Sequence, residues 1–160
     1  YGGTFSDGLA IYNILKSHPA FVVVRVMGYS LSMGSVIMLA ADRVECVENG
    51  LVMIHRAQGL TIGCVDEHHK TIELLLKHEQ TMKPVYLARM GIDEAGLDEL
   101  LSAETWYSAD EAQAAGLVDE VVNRIDIDDS AANAGASGYS ITHSFHDQRR
   151  LPAQFRRQAA

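Results

Sequence analysis

Residues 21–41 read FVVVRVMGYSLSMGSVIMLAA, and the fold turns on how this stretch divides. Phe21 to Met27 is apolar and β-branched, the pattern of a strand buried on both faces in a parallel sheet, whereas Met33 to Ala41 reads as a buried helix. Ser32 therefore falls at a strand-to-helix turn. Such a turn lifts a hydroxyl out of the sheet and aims the first N–H groups of the helix at any oxyanion formed beside it. A serine hydroxyl is a poor nucleophile near neutral pH unless a histidine takes its proton. Leu51 to His55 (LVMIH) is a second short apolar run, ending in a histidine before Arg56, Gln58 and Gly59, so His55 is expected at the end of a strand that leaves the core. Each residue also has a plain structural reading, Ser32 as a helix cap and His55 as a satisfied core histidine. Ser30 competes with Ser32, because Gly28-Tyr29-Ser30 and Ser30 to Gly34 both approximate a G-x-S-x-G elbow. Position favours Ser32, which directly precedes the helix, while Ser30 is expected in the loop.

Outward from this stretch the chain alternates between helix and strand. Asp7 to Lys16 reads as a helix, Arg43 to Val47 as a short strand, and Leu51 to His55 as another, the order of an α/β protein with a mostly parallel sheet covered by helices. Cys64 to Met90 is long and helix-forming, with Ile72, Leu75, Leu76 and Leu87 set among charges. Pro84 interrupts it, and a proline inside a helix costs about 3 kcal/mol, which predicts a kink or break near Met82-Lys83.

The chain has 160 residues, 48% hydrophobic and 21% charged, enough to bury one core. No run of apolar residues is long enough to span a membrane. The whole chain carries a formal charge of −8, with 8 Lys/Arg against 17 Asp/Glu before residue 123 and 5 Arg against 4 Asp after it, so nucleic-acid binding by the acidic first part is not expected. Cys46 and Cys64 lack metal or redox spacing and read as free thiols in a reducing cytoplasm. There is no HExxH, His68, His69 and His78 read as solvated helix residues, and neither metal nor cofactor is expected. Residues 123–160 change character: Asp126, Asp128 and Asp129, a small polar stretch (SAANAGASGYS), then Arg149, Arg150, Arg156 and Arg157. They read as a disordered tail after a domain spanning 1–122.

Four stretches together resemble the proteolytic subunit of Clp protease, and most closely the Clp-like serine peptidases of bacteriophage head maturation. They are Gly2-Gly3-Thr4 with Gly8-Leu9-Ala10-Ile11-Tyr12, then Ser32-Met33-Gly34, then Val52-Met53-Ile54-His55, then Glu104-Thr105-Trp106-Tyr107-Ser108-Ala109-Asp110-Glu111-Ala112 continuing into Gly116-Leu117-Val118-Asp119-Glu120. The resemblance implies a ClpP/crotonase-type fold in which 64–90 is the long handle-like helix. It implies Ser32 as nucleophile, His55 as general base, and the N–H groups of Gly3 and Met33 as oxyanion hole. Glu104 stands where the housekeeping enzymes carry an aspartate, and Glu-Thr-Trp looks like the phage-type branch, so Glu104 is the expected third member. Thr4, Phe5 and Gln58 are expected to line a groove that takes a polypeptide as an added strand.

The resemblance further implies a strand-helix-strand segment ahead of Tyr1, assembly into a homo-oligomeric ring, capsid or scaffold proteins as partners, no membrane, and a cytoplasmic setting, that of the host for a phage-encoded chain. Peptidase action without an ATPase is the expected activity. Two other classes stay open: a crotonase-like acyl-CoA enzyme, which would hold a thioester enolate on paired amides, and a non-catalytic subunit that keeps the oligomer without the chemistry.

Overall fold

The computed structural model describes residues 2–123. Helix α1 (Phe5–Lys16) starts after Thr4 and carries Asp7 in its first turn, where a negative charge meets the positive end of the helix dipole. Strand β1 (Val23–Val26) follows, then β2 (Tyr29–Leu31) and the short helix α2 (Met33–Met38). Strands β3 (Arg43–Val47) and β4 (Leu51–Ile54) precede the 26-residue helix α3 (Val65–Met90). Helix α4 (Glu94–Ser102), strand β5 (Thr105–Ser108), helix α5 (Ala109–Ala114) and strand β6 (Glu120–Val122) complete the described part. Among the described residues no helix is long and apolar enough to cross a membrane.

The strands form two three-stranded sheets. In one, β1, β3 and β6 are all parallel; in the other β2 pairs parallel with β4, and β4 pairs antiparallel with β5. The sheet is thus mostly parallel, as the sequence predicts, but it is split, and the strand expected over Phe21 to Met27 is cut to Val23–Val26. The chain breaks at Met27 and Gly28 and restarts as β2 in the second sheet. Ser30 consequently lies in a strand, buried and in register with Val52, and not in the loop the sequence suggests. Val36, Met38, Val44, Val52, Ile54, Tyr86 and Leu101 meet in one buried cluster between the sheets and the helices.

Helix α3 runs through Pro84 without ending, so the predicted break is corrected. Met82 and Tyr86, on either side of the proline, are both buried, and Lys83 pairs with Asp98 and Glu94 of α4 at 2.7 and 3.1 Å. That packing offsets the lost backbone hydrogen bond, as tertiary contacts routinely override local propensity.

Residues 124–160 lie outside the described residues, and with them nearly all of the tail that the sequence reads as polar and disordered.

Candidate active site

Ser32 is the N-cap of α2, with φ 54° and ψ −125°. A residue with a side chain adopts this region at a cost of order 1–3 kcal/mol and stays there only when its surroundings hold it. Three hydrogen bonds do so. The Ser32 N–H donates to the Met53 carbonyl of β4 at 2.9 Å, and the Ser32 carbonyl accepts the Ser35 N–H at 2.9 Å and the Ser35 hydroxyl at 2.6 Å. Ser30 and Leu31 before the turn and Met33, Ser35 and Val36 after it are buried, with Ser32 itself half-buried between them.

His55 follows the last residue of β4, the strand that pairs with β2 just before Ser32. This pairing sets the two side chains together: His55 Nε2 is 2.7 Å from Ser32 Oγ. A hydroxyl hydrogen-bonded to an imidazole can pass it a proton as it attacks an electrophile. The other ring nitrogen, His55 Nδ1, is buried and has no hydrogen-bond partner.

Glu104 does not fill that vacancy by contact. Its residue is exposed, its φ is 52°, and its carboxylate makes no hydrogen bond to His55. The register nevertheless leads to it. β4 and β5 pair Leu51 with Ser108, Val52 with Tyr107, Met53 with Trp106 and Ile54 with Thr105, so one further step sets Glu104 opposite His55. The left-handed turn at Glu104 ends the strand one residue short of that pair.

Met33 is the first residue of α2, and the N–H of a first helical residue has no acceptor within its helix. Gly3 lies in the exposed segment before α1, and a Cβ added there would meet no atom within 4 Å. Gly2, which the sequence reading passed over, is the tighter position: a Cβ there would lie 2.6 Å from Ser32 Cβ and 2.8 Å from Ser32 Oγ. This segment is brought to Ser32 by α1, which packs on α2 where Gly8 meets Met33; a Cβ at Gly8 would stand 2.1 Å from Met33 Cγ. A side chain at either position would force a shift at its contact with Ser32 or Met33.

The expected substrate-contacting residues lie on either side of the pair, two at the start of α1 and one after β4. The Thr4 hydroxyl donates to the Asp7 carboxylate, Phe5 stacks on His78 of α3 with ring centroids 4.0 Å apart, and Gln58 is exposed in the loop after His55. Arg56, next to His55, carries a network that sequence reading also missed. Its guanidinium donates to the buried Glu79 of α3 at 2.7 Å and to the Ser102 hydroxyl at 2.8 Å, and its N–H donates to the Leu101 carbonyl at 3.2 Å. The end of β4 is thereby tied to α3 and α4. Among the described residues no three His, Cys, Asp or Glu side chains cluster so as to hold a metal ion.

Elsewhere the matched motifs serve the fold. Ser108 and Glu111 form a capping box on α5, whose hydrogen bonds hold the Glu111 carboxyl below its ordinary range. Burial works to raise the Asp119 carboxyl, but the Arg89 guanidinium and the Val44 N–H outweigh it and hold it low.

The family model described as Clp protease matches residues 1–125. The chain is 28% identical over 129 residues to ATP-dependent Clp protease proteolytic subunit 1 of Salinibacter ruber, covering 79% of this chain and 55% of that protein. It is 30% identical over 128 residues to the protein of the same name from Protochlamydia amoebophila, covering 76% of this chain and 61% of that one. The chain thus spans less than two thirds of the length of these relatives. With an α/β fold, a serine at a strained strand-to-helix elbow and a match over most of its length, this chain belongs to the Clp protease family.

Proposed function

We propose that this chain carries the active site of a serine-type peptidase. The observation that carries the reading is the 2.7 Å contact between Ser32 Oγ and His55 Nε2 at a backbone conformation that the fold holds under strain. In the forward step His55 Nε2 takes the Ser32 proton as Oγ attacks the peptide carbonyl, and the carbonyl oxygen takes up the negative charge. The Met33 N–H, at the positive end of α2, and the Gly3 N–H are the donors for that charge. The imidazolium then protonates the leaving amine as the C–N bond breaks, and water repeats the sequence to release the acyl group from Ser32. Each oxyanion donor of this kind contributes about 2.7–4 kcal/mol to the transition state.

Glu104 is the acid in this reading, on the strength of its place one step beyond the Ile54–Thr105 pair and of the buried, unpartnered His55 Nδ1. The substrate is a polypeptide taken in extended form near Thr4, Phe5 and Gln58. Exposed Ile72, Leu74 and Leu76 on α3 favour self-association into a ring. The Glu104-Thr105-Trp106 sequence favours the head-maturation branch, which acts without an ATPase on capsid or scaffold protein in a host cytoplasm.

Hydrolysis of a short fluorogenic peptide by Ser32→Ala, Ser30→Ala and the unaltered protein tests the assignment. Loss in Ser32→Ala with retained circular dichroism supports it. Full activity in Ser32→Ala with loss in Ser30→Ala overturns it, and retention of coenzyme A without hydrolysis would point to acyl-CoA chemistry.

A further inference from the structure

Behind the Ser32 elbow lies a pair of hydroxyls that the steps above do not use. Ser35 of α2 and Tyr86 of α3 are 0% and 1% exposed, and their oxygens are 2.7 Å apart. Ser35 Oγ also lies 2.6 Å from the Ser32 carbonyl oxygen. A serine hydroxyl has one proton, and the carbonyl can only accept, so that proton goes to Ser32 and the Tyr86 phenol must donate to Ser35. The order of donation is therefore fixed: Tyr86 O–H to Ser35 Oγ, Ser35 O–H to Ser32 C=O.

The Ser32 carbonyl and the Met33 N–H belong to the same peptide unit, which is planar and trans. Fixing the carbonyl direction therefore fixes the N–H, which lies in the same plane and points the opposite way. We infer that Ser35 and Tyr86 are positioning residues that aim the Met33 amide at the oxyanion, by clamping the Ser32 carbonyl from behind. The inference rests on the peptidase reading and deepens it, since it concerns the same site.

Two further observations support the clamp. Ser32 sits at φ 54° and ψ −125°, a conformation that needs holding, and the Ser35 hydroxyl adds a second bond to a carbonyl that already accepts the Ser35 N–H. Burial pushes the Tyr86 phenol up to about 12, against the smaller opposing effect of its bond to Ser35, so it remains a donor throughout the neutral range. The tyrosine reaches the elbow from α3, 51 positions along the chain, so the clamp ties the geometry of the site to where that helix lies.

The test measures kcat and KM for a peptide substrate, and Ki for a peptide aldehyde, in Ser35→Ala, Tyr86→Phe and the double variant. The aldehyde forms a tetrahedral adduct whose oxygen uses the same amide, whereas KM for the substrate does not depend on it. A misaimed donor should cost less than a deleted one, which costs about 10²–10³ in kcat, so a loss of about tenfold is expected for Ser35→Ala and less for Tyr86→Phe. Ki should rise with the fall in kcat, KM should change less than about twofold, and the double variant should be no worse than Ser35→Ala, as for members of one chain of bonds. Tyr86→Phe removes a single oxygen and keeps the ring in the core, and thermal melting checks that each variant is folded.

Wild-type kcat and Ki in both folded variants, a loss carried by KM, or strictly additive losses would overturn the positioning role alone. An unaltered protein that neither hydrolyses peptides nor forms an adduct at Ser32 would overturn the peptidase reading and this inference with it.

Discussion

Replacing Gly2 with alanine should disable the site while leaving the fold in place. The added Cβ would lie 2.6 Å from Ser32 Cβ, 2.8 Å from Ser32 Oγ and 3.2 Å from the Leu31 carbonyl oxygen. Carbon atoms rest at about 3.5–4.0 Å, so relief requires a shift of about 1 Å. Ser32 cannot easily give way, because its N–H is held by Met53 and its carbonyl by Ser35. The displacement falls instead on the exposed segment Gly2 to Thr4 and carries the Gly3 amide away from Ser32. A misplacement of about 1 Å in a catalytic array costs about 10²-fold in rate. The assay is kcat/KM for a short peptide, together with the rate at which a fluorophosphonate labels Ser32. Gly3→Ala is the control for folding, since a Cβ at Gly3 meets nothing within 4 Å and should leave the thermal midpoint unchanged. A Gly2→Ala protein within about threefold of wild type in both assays would refute the reasoning, because the close approach would then have no bearing on Ser32.

Glu104→Gln should lower kcat more than tenfold and spare KM, because the amide cannot stabilise the His55 cation, and loss of the equivalent acid in the best-studied triad costs about 10⁴. A change below about threefold, the usual size for an exposed position, would leave a Ser-His dyad. Arg56→Ala should destabilise the fold by roughly 2–3 kcal/mol in chemical denaturation, since it strands the buried Glu79; this is below the ~3–5 kcal/mol of a fully buried pair because the Arg56 side chain is 42% exposed. Unchanged stability would show that Glu79 finds water or another partner. Tyr86 makes the fold alkali-sensitive: its folded pKa is raised from 10 to about 12, so its contribution is intact below pH 10 and is lost as pH rises toward 12. Over that window the wild type should lose roughly 2–3 kcal/mol relative to Tyr86→Phe, and parallel stability curves would contradict the buried, protonated phenol.

The elements that carry the site were legible because their signals are local. A β-branched run, a small-residue turn and an apolar helix follow one another directly, and His55 follows a four-residue apolar strand, so both residues stood out locally as candidates, while the family resemblance is what chose a catalytic reading over a cap and a core histidine. What decides the rest is contact between distant residues. Ser30 looked like loop because β2 is only three residues long, and it becomes strand by pairing with Val52. Pro84 looked like a break because local cost is all that sequence displays, whereas Met82, Lys83 and Tyr86 hold the helix from outside it. The Ser35 to Tyr86 bond and the Arg56 to Glu79 pair join elements 51 and 23 positions apart, and no periodicity encodes them. Arg56 directly after a candidate base, and a serine inside the apolar run of α2, were the available hints. The Gly2 contact was hidden by its neighbour: two successive glycines read alike, and only the packing of α1 on α2 shows which one touches Ser32.

The central claim is that Ser32 is a nucleophile activated by His55, and a covalent label tests it most directly. The protein would be treated with a fluorophosphonate, digested, and mapped by mass spectrometry, beside His55→Ala and Ser32→Ala. The account predicts one tag, on Ser32, forming at least tenfold more slowly in His55→Ala and absent in Ser32→Ala. A tag on Ser30, or no tag on a folded protein that hydrolyses peptides, would contradict it.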